Sequence, residues 1–205
     1  MIAKHLELLV EEPSMEVFLR DLLPRILPAD CSFNIHVFQG KRNLLDRLQT
    51  RLRGYTQWLP DDWRIIVIVD RDNDNCRDLK QRLEDEASNA NLLTRSRANG
   101  RPWQVVNRLA IEELEAWYFG DWEAVRNVYP RVLPNVPNKA RYRDPDAIQG
   151  GTWEAFERIM KKSGYFKGGL RKVEAARAIS RHIDLARNRS ISFSKFHGAI
   201  IEATA

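Results

Sequence analysis

Cysteine is scarce in this 205-residue sequence: Cys31 and Cys76 are its only thiols. Two such residues build no disulfide framework and match no metal-site spacing, which suits a reducing compartment. Free cysteine at such positions is expected to act as a small buried apolar residue. Long hydrophobic runs are also missing. No stretch approaches the roughly 18 apolar residues that a bilayer-spanning helix needs, so no membrane association is expected. The opening MIAKHLELLVEEPS has no extended apolar core and meets an acid at Glu7. A secretory signal is therefore not expected, and the expected location is cytoplasmic. Histidine is sparse too. His5, His36, His182 and His197 lack metal-ligand spacing, and no Ser-His-Asp arrangement accompanies them. The Gly-x-x-x-x-Gly-Lys-Ser/Thr phosphate loop is absent, as are internal repeats and low-complexity segments.

Hydrophobic residues make up 43% of the chain, enough for a sizeable core. The formal charge is +5, unevenly distributed. From Asp121 onward there are 16 Lys and Arg against 9 Asp and Glu, leaving 17 against 19 in the first 120 residues. A basic second part beside a mildly acidic first part fits a phosphate-binding surface next to a cation site, and equally a solvated Arg-rich helical face. Arginine outnumbers lysine 24 to 9, which favours bidentate contacts to phosphate or carboxylate groups.

Leu6–Val10 is a short apolar run suited to a buried strand. After Glu11-Glu12-Pro13, Ser14 is read as an N-cap, and Met15, Phe18, Leu19, Leu22, Leu23 and Ile26 follow at helical spacing, with Pro24 expected to kink or shorten the end. Ser32–Phe38 alternates as a second strand. A basic helix then carries a stripe of Leu44, Leu45, Leu48 and Leu52. Arg64–Val69, an unbroken run of mostly β-branched residues, reads as a strand buried on both faces. The next helix is expected to turn Cys76, Leu79, Leu83 and Ala87 inward. Gln104–Ala110 is a fourth strand, and Ile111–Phe119 continues either as strand end or as helix start. Trp117 and Tyr118 are read as core residues. Four strand-then-helix units predict an α/β fold with a mostly parallel, doubly wound four-stranded sheet. The expected division is 1–129 for this core, and 130–205 for a proline-punctuated loop followed by a helical extension: Thr152–Lys162, Leu170–Ile183 and Ser192–Ile201.

Sites in open parallel sheets form outside the carboxyl ends of the strands. Glu11 lies past the first strand; Asp70 and Asp72 lie past the third and would share a face in extended backbone. Clustered carboxylates repel unless a cation lies between them, and oxygen-only ligands select a hard ion such as Mg²⁺ or Mn²⁺. Such an ion can neutralise a phosphodiester and orient water. The competing reading makes Asp70-Arg71-Asp72-Asn73-Asp74-Asn75 a polar turn with an N-cap. An EF-hand is excluded, because Asn75 stands where glycine is needed and Gln81 where the bidentate glutamate belongs.

The order of these acids resembles the Toprim family, which carries a glutamate after strand one and Asp-x-Asp after strand three. The matching residues are Val10-Glu11-Glu12-Pro13-Ser14-Met15-Glu16 and Asp70-Arg71-Asp72. Glu12 replaces the glycine usual in that family. The resemblance gives Glu11 a general acid/base or metal-ligand role, and Asp70 and Asp72 metal-ligand roles. The segment RLAIEELEAWYFGD, with Glu113-Leu114-Glu115-Ala116-Trp117 and Asp121, is similar to a small bacterial family of Toprim-like proteins of unknown function that accompany ABC-type or AAA ATPases. GGTWEAFERIM continues the similarity. Related nucleases of the overcoming-lysogenization-defect type use further acids for a second metal. Glu113 and Glu115 are the candidates if the strand continues, and Glu112 and Glu115 share a face if the segment is helical. What the resemblance implies is a Mg²⁺- or Mn²⁺-dependent nuclease, working on nucleic acid with an ATPase partner in a bacterial defence-type system. The alternative is a non-catalytic regulatory or scaffolding subunit of an ATPase complex.

Basic residues supply candidate phosphate contacts. Arg71 lies between the two aspartates and by alternation points away from them. Lys41 opens the second helix. Lys167, Arg171 and Lys172 surround Gly168-Gly169, a turn that would offer backbone N–H groups and positive charge to a phosphate.

Overall fold

An apolar run and parallel pairing on both sides set the centre of the sheet. β1 (His5–Val10) is buried at every position, as a strand covered by helices on both faces must be. The structure, a computed structural model, describes residues 2–205. β1 pairs in parallel with β2 (Ser32–Val37) on one side and with β3 (Trp63–Asp70) on the other, and β3 pairs in parallel with β4 (Val105–Ala110). The order is β2-β1-β3-β4. Leu8 lies level with Ile35 and Ile66, and Ile66 with Val106. The fold is the predicted α/β type, an all-parallel four-stranded sheet flanked by helices.

Helices follow as α1 (Pro13–Leu22), α2 (Lys41–Tyr55), α3 (Cys76–Asn89), α4 (Glu115–Gly120), α5 (Trp122–Val128), α6 (Thr152–Lys162), α7 (Lys172–Ser180) and α8 (Ile191–Thr204). Side-chain alternation splits the core in two. Leu9, Ile65, Val67 and Val69 pack on the leucine stripe of α2 and on Leu79, Leu83 and Ala87 of α3. Leu6, Leu8, Val10, Ile66 and Ile68 face α1 and the helices after residue 114. Trp117 ties α1 to α8 within the second of these cores. Its ring centre lies 5.6 Å from Phe18, 5.3 Å from Phe193 and 5.2 Å from Phe196, and its indole N–H donates to Ser192 Oγ at 2.9 Å. Trp117 and Tyr118 are fully buried, as read from the sequence. Among the described residues no helix is long and apolar enough to cross a membrane.

Several local expectations are corrected. Ser14 is not the N-cap of α1: Glu12 takes that position and Pro13 is the first helical residue, because a ring-fixed φ and a missing N–H suit that place. Pro24 does end the regular helix, which tightens into a 3₁₀ turn at Leu23–Arg25. Cys76 is exposed; it follows the N-cap Asn75 directly, before the stripe turns inward. α7 is shorter than expected, because residues 163–171 form an irregular return instead of a first turn. Beyond Ala110 the chain neither prolongs the strand nor enters a helix at once. It bends through residues 111–114, with a cis Ile111–Glu112 peptide, and becomes helical only at Glu115.

One buried acid is structural. Glu7 on β1 is 3% exposed. Its carboxylate accepts from Tyr55 Oη at 2.6 Å and Asn34 Nδ2 at 3.1 Å, and meets His5 Nε2 at 3.0 Å and His36 Nε2 at 2.5 Å. Burial opposes its charge, but these partners outweigh burial and hold the carboxyl below the usual glutamate range. Removing one donor leaves a buried carboxylate short of a bond. Tyr55→Phe is therefore expected to lower stability by about 1–3 kcal/mol, read as a reduced urea midpoint with unchanged far-ultraviolet circular dichroism.

Candidate functional site: carboxylates at the strand ends

Strand order places the site. The connection from β1 leads to β2 on one side, and the next strand returns to the other side as β3, so the crevice opens between the ends of β1 and β3. Glu11 follows β1 and Asp70 ends β3. The Asp70 backbone N–H donates to Glu11 Oε2 at 3.2 Å. Asp70 is 4% exposed, and its Oδ1 has no hydrogen-bond partner. Burial raises its carboxyl well above the ordinary aspartate value, and the charges of Glu11, Glu12, Glu115 and Asp72 raise it further. Glu11 is pushed up to about 7, by burial first and then by Asp72, against the opposing charge of Lys41.

Asp72 does not share an extended face with Asp70. The strand ends at Asp70 and Asp72 takes φ 49°, a left-handed turn conformation that aspartate tolerates better than most residues. Its side chain meets Lys41 Nζ at 2.6 Å, and Asp74 meets the same ammonium at 2.8 Å. Lys41 also donates to the Arg71 carbonyl at 3.0 Å. Burial draws the Lys41 pKa down, but Asp72 and Asp74 outweigh it and raise it. The Arg71 guanidinium pairs with Glu112, and its Nε donates to the Asp72 carbonyl at 3.2 Å. A groove of about 410 Å³ beside this turn has Lys41, Arg42 and Arg82 among its walls.

The bend after β4 separates Glu113 from Glu115. Glu113 Oε2 accepts from Thr152 Oγ1 and from the Trp153 N–H, both at 2.9 Å, and so caps the start of α6. Burial raises its carboxyl and these two bonds oppose the rise. Glu115 is 1% exposed, and its Oε2 has no partner. Burial pushes it up to about 7, against Lys172. Lys172, at the start of α7, stands 3.7 Å from Glu12. Although burial disfavours its charge, Glu115, Glu12, Glu113 and Asp70 together hold its pKa above the usual lysine value.

Of the residues singled out in the sequence, Glu11, Asp70, Asp72, Glu115, Lys41 and Lys172 come together electrostatically. Glu113 stands at the rim; Arg71 is held by Glu112 and the Asp72 carbonyl, while Lys167 and Arg171 are exposed. Arg171 pairs with Glu174 at 3.0 Å. As the side chains stand, no three His, Cys, Asp or Glu among the described residues gather closely enough to hold a metal ion. The donor set still suits a hard cation: every side chain is a carboxylate, and two buried oxygens face no donor. Sequence reasoning missed Trp153 at the rim; the Gly150-Gly151 pair before it, both with positive φ, was the available sign of a sharp turn there.

The family described as "Domain of unknown function (DUF4276)" matches residues 10–201. No curated protein matches the chain. Among solved structures, the C-terminal region of the Burkholderia pseudomallei OLD protein is similar at a TM-score of 0.49 and 15% identity, covering 100% of each chain.

The raised carboxyls have a pH signature. Below the ordinary glutamate value of 4.5, Glu115 is protonated in both the folded and the unfolded chain. Between 4.5 and about 7 the folded chain keeps the proton that the unfolded chain has released. Stability of the metal-free protein therefore falls as pH rises through that window. Glu115→Gln is expected to raise the melting temperature at pH 8 in EDTA by about 4–8 °C, corresponding to roughly 2 kcal/mol for a chain of this size. The difference should vanish near pH 4, and equal shifts at both pH values would contradict this account.

Proposed function

From the premise that the chain belongs to the DUF4276 family, we propose that its crevice hydrolyses phosphodiester bonds in nucleic acid with the help of a divalent cation. Glu11, Asp70 and Asp72 are the residues that would hold Mg²⁺ or Mn²⁺, with Glu115 completing the set and Glu113 serving at the rim. The observation that carries the reading is the pair of buried, partnerless carboxylate oxygens on Asp70 and Glu115, among the charges of Glu11, Glu12 and Asp72. Uncompensated buried charge of one sign is costly, and a cation is the chemical complement that relieves it. The likeness of Glu11 and Asp70-Arg71-Asp72 to the acids of the Toprim family supports the same assignment.

A bound Mg²⁺ or Mn²⁺ would neutralise the phosphodiester and favour ionisation of an attacking water. The chain's own side chains do the remainder. Lys172 and Lys41 stand at opposite sides of the acids as permanently charged donors for non-bridging phosphate oxygens. Arg71, tied to Glu112, fixes the turn that carries Asp72. Glu113 holds the start of α6 against the rim through Thr152 and Trp153.

A second reading has one specific support. Lys41 already pairs with Asp72, and Lys172 faces Glu12, so protein cations alone would stabilise the acids of a non-catalytic scaffold. The two readings separate in one experiment. The purified chain is given Mn²⁺ or Mg²⁺ with plasmid, single-stranded DNA or RNA, beside Asp70→Asn and Glu11→Gln. The nuclease reading expects metal-dependent cleavage that falls by about 100-fold or more in both variants. It also expects Mn²⁺ to raise the melting temperature of the wild-type chain and not of Asp70→Asn. Absence of both cleavage and the melting shift would leave the scaffold.

A further inference from the structure

α6 ends at Lys162, and the segment 163–171 doubles back along it. The return bends at Gly164, Phe166 and Gly169, all with positive φ. Halfway along the helix it is tied down, where the Leu170 N–H donates to Glu157 Oε1 at 2.8 Å. At the end of the return, Lys172 places its ammonium 5.6 Å from the centre of the Trp153 ring, at the start of α6. Cations and rings alternate along this path. Arg131 lies over Tyr165 at 4.2 Å and Arg171 over Phe166 at 5.4 Å. Tyr129 supports both rings edge-on, at 4.9 Å from Tyr165 and 5.6 Å from Phe166. Trp153, Tyr165 and Phe166 are each partly buried, and Lys167, next after Phe166, is exposed.

This row of rings and charges runs directly to the acids. The Trp153 backbone N–H donates to Glu113 Oε2 at 2.9 Å, and Lys172 is shared between the Trp153 ring and Glu12. The 11 residues of α6 span about 16 Å at 1.5 Å per residue. A sheet end lined by carboxylates repels phosphate, so an incoming strand is drawn over the cationic side. Partly exposed rings accept bases only when those bases are unpaired and unstacked, whereas lysine and arginine accept the backbone of any nucleic acid.

We propose that the α6 ridge is a docking surface for unpaired nucleic acid, with Trp153 the base-stacking platform nearest the acids and Lys167, Arg171 and Lys172 the phosphate contacts. The inference rests on the nuclease reading and names its substrate class: single strands, or the frayed ends of duplexes. Trp153 selects for an unpaired base, while the lysine and arginine contacts add affinity without selection.

The test measures binding apart from cleavage. Fluorescence anisotropy of a fluorescein-labelled single-stranded oligonucleotide and of its duplex is followed at low salt in EDTA. The wild-type chain is expected to prefer the single strand. Trp153→Ala should weaken single-strand binding about tenfold and duplex binding by less than about twofold, and Trp153→Phe should restore most of the loss. The aromatic replacement distinguishes stacking from a folding defect. Equal weakening for both ligands, or no weakening, would overturn the proposal. Cleavage in Mn²⁺ is scored separately on the wild-type chain. Selective, Trp153-dependent binding without cleavage supports the ridge and removes the nuclease reading. Cleavage accompanied by a Trp153→Ala chain that binds single strands normally removes the ridge alone.

Discussion

Like charge held together under burial is the constraint around which this molecule is arranged. Asp70 and Glu115 are almost fully enclosed, and each leaves an oxygen without a donor. Glu11, Glu12 and Asp72 add their charges nearby. A buried carboxylate normally gathers several donors, as Glu7 does with Tyr55, Asn34, His5 and His36. The contrast within one protein is informative. Glu7 is satisfied and held below the usual range, whereas Asp70 and Glu115 each leave an oxygen unpartnered, and both, with Glu11, are pushed above it. In the proposed function these are the acids that would take a divalent cation.

The cations around the acids come from opposite sides of the sheet. Lys41 belongs to α2, whose leucines cover one face; Lys172 belongs to α7, which packs on α1 within the core on the other side. Two helices distant in sequence thus place ammonium groups on either side of a single crevice. The helices after residue 129 are part of this arrangement. α7 packs on α1, the helix that Glu12 caps, and so fixes Lys172 relative to the first strand's acids. The same return that delivers Lys172 orders the rings of Tyr165, Phe166 and Trp153.

Strands were legible because parallel sheets bury both faces and demand apolar runs, which IIVIV displays throughout and Leu6–Val10 displays apart from Glu7. Glu11 and Asp70 were legible for the same reason: an acid directly after such a run is placed at the sheet's carboxyl edge. Asp72 was placed in the right loop with the wrong geometry, since spacing of two implies one face only where the backbone stays extended, and Asp72 lies in a left-handed turn. Glu113 and Glu115 looked equivalent in sequence. The bend at residues 111–114 sends one to cap α6 and the other beneath the crevice. Trp153 was invisible as a site residue, since one tryptophan at the start of an amphipathic helix carries no sign of what stands opposite it.

By itself, then, the sequence determined the alternation of strands and helices, the parallel sheet and the edge at which its acids emerge. These follow from local hydrophobic period and chain connectivity, which short segments carry in full. Tertiary structure alone decided which acids lose their partners, which lysines face them and which rings line the approach. Those outcomes depend on the packing of α7 against α1 and on the return of residues 163–171 along α6. Burial and electrostatic coupling are properties of groups that meet only after folding, and no spacing within a segment encodes them.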